Sequence, residues 1–200
     1  MSDLLLASTN RGKQREFARL LDGLPGRLLF PQDLGLHDAV PEPHHTYAEN
    51  ATDKAVAFCR ASGLPALADD SGLEVAALDW GPGVRTGRFG GDDVEDPVAL
   101  LLERLQGVED RRARMICWLA LAVPGQGADP GVELFEGAME GSVATEKRGK
   151  GGFGYDPVFV LPSGLTTAQL PEAEKDQVSH RGRAVAAALP RLRELLAPGP

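Results

Sequence analysis

Residues 114–123, RMICWLALAV, constrain the fold more than any other part of the chain. After the leading arginine they are apolar without a break. A strand with one face in water alternates apolar and polar side chains, whereas an unbroken apolar run of this length is covered on both faces. The stretch reads as a central strand, and the rest of the chain must supply its cover. Residues 3–8 read as a short buried strand. From Lys13 the period turns helical, with Phe17, Leu20, Leu21 and Leu24 in step. Residues 27–30 suit a second strand. Tyr47, Ala51, Ala55 and Phe58 form the stripe of a second helix, with Asn50 and Lys54 beside it. Residues 65–70 and 73–78 read as two strands turned by Ser71 and Gly72. A helix over 96–105 has Asp96 as its cap before Pro97. Residues 132–135 and 137–145 read as a hairpin or meander, and 157–161 as a further strand. A last helix, capped by Ser179, is expected to end or kink at Pro190. Residues 33–45, 81–91 and 125–131 read as loops, with His37, His44 and His45 as loop residues, and 197–200 as a frayed tail. Strands alternate with helices early and then run consecutively. The chain is therefore α/β, with a mixed sheet and flanking helices.

At 200 residues it suits one domain. A formal net charge of −8 argues against a general nucleic-acid or membrane-surface protein, so an anionic ligand needs a local basic pocket. The start, MSDLLLASTNRGK, lacks the basic n-region of a signal peptide, and no apolar run approaches a membrane span. Cys59 and Cys117, in apolar contexts without CxxC spacing, read as reduced core thiols.

Five groups could carry chemistry. Ser8, Thr9, Asn10, Arg11, Gly12 and Lys13 join a strand to a helix, where amides and a lysine can hold phosphate oxygens; an ordinary capped turn reads the same way. It is not a Walker A loop, since position 7 is Ala. Asp69 and Asp70 close an apolar run. Alternation lets one of them face a pocket, as a ligand for a hard cation or a base for water, unless both serve an Asp-rich turn. Residues 149–156 put glycines around Phe153 and Tyr155. That density suits a loop that lets a planar ligand approach, and also a hairpin with one core aromatic. Lys175, His180 and Arg181 are donors that could read a nucleotide base, or solvated charges beside a capped helix. Glu42 could join a carboxylate cluster around Mg²⁺, while Glu49 suits a helix start.

Taken together, six blocks resemble the inosine/xanthosine triphosphate pyrophosphatase family. They are residues 7–13, Glu49–Asn50–Ala51 with Lys54, residues 68–72, 83–88 and 151–157, and Glu174–Lys175 with 179–182. The resemblance spans nearly the whole chain. It implies a single domain over 1–200 with an elongated mixed sheet, flanking helices and two lobes around a central nucleotide-binding cleft. It also implies Mg²⁺-dependent hydrolysis of non-canonical purine nucleoside triphosphates to the monophosphate and pyrophosphate, by a cytoplasmic homodimer. By that resemblance Ser8, Thr9, Asn10, Arg11, Gly12, Lys13 and Lys54 hold the triphosphate. Asp70 is the general base and a metal ligand with Glu42, and Ser71 touches substrate. Phe153, Gly154, Tyr155 and Asp156 cover the base, with Phe153 stacking, while Lys175, His180 and Arg181 read the purine's oxo edge. The loop before the second helix departs from the family's common Glu-Glu-Thr-Gly, reading Glu42-Pro43-His44-His45 here. A nucleotide-binding regulatory module without turnover, or a nucleotide hydrolase releasing orthophosphate, would share parts of this set.

Overall fold

A computed structural model describes residues 3–36, 40–91, 93–125, 127 and 129–197. His37 and the last three residues of the expected tail lie outside the described residues. In chain order the regular elements are β1 (Leu4–Leu6), α1 (Arg11–Leu20), β2 (Leu28–Leu29), α2 (Tyr47–Ser62), β3 (Ala66–Val75), β4 (Gly81–Pro82), α3 (Pro97–Arg104), β5 (Arg112–Val123), β6 (Gly131–Val143), β7 (Phe159–Val160), α4 (Glu172–Val178) and α5 (His180–Leu196). The strands form one mixed sheet in the order β2-β1-β3-β5-β6-β7, with β4 paired to β3. β1 runs parallel to β2 and to β3, aligning Leu5 with Leu29 and with Ala66. The β3–β4 and β6–β7 pairs are antiparallel. The α/β reading with flanking helices is borne out.

The chain divides into two compact units. One comprises Met1–Asp70, Cys117–Gly137 and Gly182–Pro200; the other comprises Ser71–Ile116 and Ala138–Arg181. In the first unit one core joins Leu4, Leu6 and Leu67 to Phe17 and Leu21 of the α1 segment and to Ala184, Val185, Ala188 and Leu192 of α5. A second core joins Leu5, Ala7, Ala66 and Ala68 to Ala51, Ala55 and Phe58 of α2. Alternate residues of β1 and β3 thus enter different cores, as period two requires of strands covered on both faces. The second unit closes around Leu73, Val75, Leu101, Met139, Tyr155 and Phe159.

Several expected breaks are absent. Ser71 and Gly72 do not turn the chain; β3 runs through them for ten residues. Likewise Gly137 lies inside one long strand, β6, rather than opening the second of two. In both cases ladder pairing within the sheet overrides the local preference of glycine. α5 continues past Pro190 to Leu196. A proline costs a helix interior about 3 kcal/mol. Beyond it Leu192 and Leu196 are almost fully buried, and each such side chain returns about 1.5–3 kcal/mol. α4 was not expected at all, although Pro171, Glu172 and Glu174 supply a proline start and first-turn acids. The Asp96 cap is as expected, its carboxylate accepting from Val98 N and Ala99 N. No helix among the described residues is long and apolar enough to cross a membrane.

Candidate active site

The first group of candidate residues lies wholly in the first unit. β1 delivers the chain to Asn10, whose extended backbone makes it the N-cap of α1. Its Oδ1 accepts from Gly12 N at 2.8 Å and Lys13 N at 3.1 Å, so two amides expected to meet phosphate are held by the chain itself. The helix accordingly starts at Arg11, two residues before the change of period. Lys13 Nζ lies 2.9 Å from Asp69 Oδ2.

Strand geometry separates the two aspartates. Leu67 belongs to the core on the α1 side, and Ala66 and Ala68 to the core on the α2 side. Continuing the alternation sends Asp69 toward α1 and Asp70 toward α2. The contacts agree. Asp69 meets Lys13 of α1. Asp70 Oδ2 accepts from Asn50 Nδ2 of α2 at 3.0 Å. Lys54, one turn after Asn50, donates to the Asp69 carbonyl at 3.0 Å and pairs with Glu42. Asp70 is 5% exposed. Burial pushes its carboxyl above the ordinary aspartate value, against the Asn50 hydrogen bond and the charges of Lys13 and Lys54, while Glu42 raises it further. For Lys54, burial works against the charge, yet Asp69, Glu42 and Asp70 together hold the ammonium above its ordinary value.

A hard divalent cation fits this donor set. Glu42 and Asp70 lie within each other's field, each an oxygen donor whose charge a cation would offset. No three His, Cys, Asp or Glu side chains among the described residues form a ready cage. Mg²⁺ takes one or two carboxylates and completes its shell with water and phosphate, a demand that Glu42 and Asp70 can meet.

The second group lies in the second unit. Asp156, 3% exposed, is the centre of the glycine-rich loop. Its carboxylate accepts from Phe153 N at 2.7 Å, Lys175 Nζ at 2.6 Å and Thr167 Oγ1 at 2.8 Å. The loop's glycines serve this packing. A Cβ at Gly149 would lie 2.5 Å from the Ala168 backbone, and one at Gly152, where φ is +69°, would lie 2.0 Å from Asp156 Oδ2. Tyr155 is part of the core, its hydroxyl donating to the Thr86 carbonyl at 3.1 Å, and burial lifts its pKa to about 12. Phe153 has the Arg181 guanidinium 5.1 Å and the Lys175 ammonium 5.5 Å from its ring centre. Arg181 also donates to Ser71 Oγ at 2.8 Å. His180 and Arg181 open α5 and are buried. Gly154 has φ +58°, and a Cβ there would meet nothing within 4 Å.

Sequence reasoning brought together Lys13, Lys54, Asp70 and Glu42 on one side, and Phe153, Lys175 and Arg181 on the other. It missed the parts played by Asn50 and Thr167, and left Asp69 to the turn or a supporting contact without naming Lys13 as its partner. Asn50 was visible beside the helical stripe, four residues before Lys54; nothing local marked Thr167.

The Ham1 family model matches residues 4–191. The chain belongs to the Ham1 family. The resemblance drawn from the six blocks is thereby borne out. A Ham1 relative from Chromobacterium violaceum, named dITP/XTP pyrophosphatase, is 46% identical over 195 residues, covering 96% of this chain and 98% of its own. Another of that name from Geobacter sulfurreducens is 46% identical, covering 93% and 94%. Among solved structures, a HAM1 protein from Coxiella burnetii superposes with a TM-score of 0.85 at 39% identity, over 97% of this chain and all of its own. A nucleoside-triphosphatase, dITP/XTP pyrophosphatase, from Mycobacterium abscessus gives 0.71 at 40% identity, over 94% and 99%.

Proposed function

We propose that this Ham1 protein hydrolyses the triphosphates of inosine, deoxyinosine and xanthosine to the monophosphate and pyrophosphate, in the cytoplasm and as a homodimer, removing non-canonical purines from the nucleotide pool. The observation that carries the reading is the setting of Asp70: a buried carboxylate at a fixed orientation, flanked by Lys13, Lys54 and Glu42. Asp70 orients a water and takes its proton as the oxygen attacks the α-phosphorus. The α–β bridging bond breaks and pyrophosphate leaves with the bonding pair. Lys13 and Lys54 offset the charge that builds on the phosphate oxygens, with residues 8–12 as further contacts. Mg²⁺, held by Asp70 and Glu42, supplies additional charge neutralisation when bound.

Phe153 stacks on the purine, and Gly154 gives the backbone room beside it. Lys175, His180 and Arg181 donate to the 6-oxo group, with Ser71 and Asp156 keeping two of those donors in place. Adenine presents an amino group at that position and cannot accept these hydrogen bonds, so it is rejected.

The test is incubation of the pure protein with Mg²⁺ and, separately, the triphosphates of inosine, xanthosine, adenosine and guanosine, with pyrophosphate and orthophosphate both assayed. Pyrophosphate from the first two and little from adenosine triphosphate is expected, and the guanosine yield measures how far recognition goes beyond the shared 6-oxo group. Orthophosphate would overturn the point of attack, and binding without product would make the chain a regulatory module.

A further inference from the structure

We propose that Asn50 is the positioning residue for Asp70, and that it sets the loop carrying Glu42 in register with that carboxylate. The proposal rests on the reading of Asp70 as the general base. Asn50 is 1% exposed. An amide this deeply buried must have its hydrogen-bonding groups matched. Its two ends face opposite requirements. Nδ2 donates to Asp70 Oδ2 at 3.0 Å and, more weakly, to the His44 carbonyl at 3.4 Å. Oδ1 accepts from His44 N at 3.0 Å. The backbone N–H of His44 can only donate and an ionised carboxylate can only accept, so one amide orientation satisfies both.

Asn50 is itself fixed, since α2 is anchored by the Ala51, Ala55 and Phe58 stripe in the core. The His44 ring is held separately, its Nε2 lying 2.7 Å from Asp53 Oδ2 one helical turn beyond Asn50. α2 therefore presents two brackets one turn apart. Asn50 holds Asp70 and the backbone at His44, and Lys54 holds Glu42 and the backbone at Asp69. Groups that touch a reacting residue in this way commonly change activity by about 10- to 100-fold when removed. Displacing the base by a fraction of a bond length acts on the chemical step and leaves phosphate and purine contacts in place.

Two variants separate the functions of the amide. Asn50→Asp keeps the shape and the acceptor for His44 N but puts a carboxylate oxygen in place of the donor to Asp70, so the uncharged Asn50→Ala separates lost positioning from added charge. Asn50→Ala removes both. Steady-state kinetics with inosine triphosphate, at Mg²⁺ shown to be saturating for each protein, would be run on both variants and on Asp70→Asn, with thermal melts to establish that each is folded. The expected result is a kcat reduced about 10- to 100-fold in Asn50→Asp, with KM changed less than about threefold, and a larger kcat loss in Asn50→Ala. An unchanged kcat in folded Asn50→Asp, or a loss appearing in KM alone, overturns the positioning role. If Asp70→Asn keeps its turnover, the reading of the base fails instead. Should Asn50→Ala not fold, Asn50→Ser, uncharged and closer in polarity to asparagine, takes its place.

Discussion

Asp70 shows what a site of this kind demands of a single residue. Burial lifts its carboxyl above the ordinary value of 3.8, and the bond from Asn50 and the nearby lysines only partly offset that. The native chain therefore keeps this proton to higher pH than the unfolded chain. The stability tied to the group is greatest below pH 3.8 and declines as pH rises through the native pKa, so at neutral pH its ionised form is a net cost. Asp70→Asn removes that cost together with the base. Turnover should fall by about 10²–10⁴-fold, while the melting temperature at neutral pH in chelator rises. A drop in melting temperature would mean that the lysines outweigh desolvation. The sequence made Asp70 and its neighbour visible because paired acids after an apolar run are conspicuous. It also predicted that the two face different ways, since alternation is a property of any strand. Their partners depend on which helix covers which face, and that is decided by tertiary packing.

At the scale of elements, legibility followed hydrophobic period and failed at glycine and proline. The stripes of α1 and α2 and the run in β5 were plain, because burial itself writes the period. Ser71–Gly72 and Pro190 read as breaks, and Gly137 as the start of a new strand, because their local preference is visible and the sheet or core that overrides it is not. In the glycine-rich loop the error ran the other way. Room for a purine was the expected reason for its glycines, yet Gly149 and Gly152 face Ala168 and Asp156. Gly152→Ala should then destabilise the protein by about 1–3 kcal/mol, from a positive φ and a clash with the Asp156 carboxylate. It should also raise KM, since the same carboxylate holds Phe153 N and Lys175. Denaturant melts and steady-state kinetics would measure both, and an unaltered KM would separate the loop's packing from base recognition. Pro190→Ala tests the opposite case. Pro190 is exposed within a helix that continues beyond it, so alanine should restore the missing donor and stabilise by about 1–2 kcal/mol after the looser unfolded chain is allowed for. A lower denaturation midpoint would show that the helix needs the proline's stiffness.

At the scale of the whole molecule the governing fact is charge. The chain carries a formal −8, and its proposed substrate is a polyanion. The lysines that would meet the triphosphate are already engaged, Lys13 by Asp69 and Lys54 by Glu42 and the field of Asp70. Such pairing keeps both ammonium groups placed, but it leaves little net positive charge for a ligand. The missing charge has to arrive with the substrate, which is the physical reason to expect an obligatory divalent cation where the charge of Glu42 already raises the cost of ionising Asp70. Removing divalent ions with chelator should therefore abolish turnover and weaken binding of inosine triphosphate at least about tenfold. Mg²⁺ should restore both in wild type, and restore binding poorly in Glu42→Gln. Calorimetric titration with and without Mg²⁺ makes the measurement. Equal affinity in the two conditions would mean that Lys13, Lys54 and the other groups of residues 8–13 left open by the Asn10 cap suffice for the triphosphate, and that the acidic pair serves only to hold the lysines.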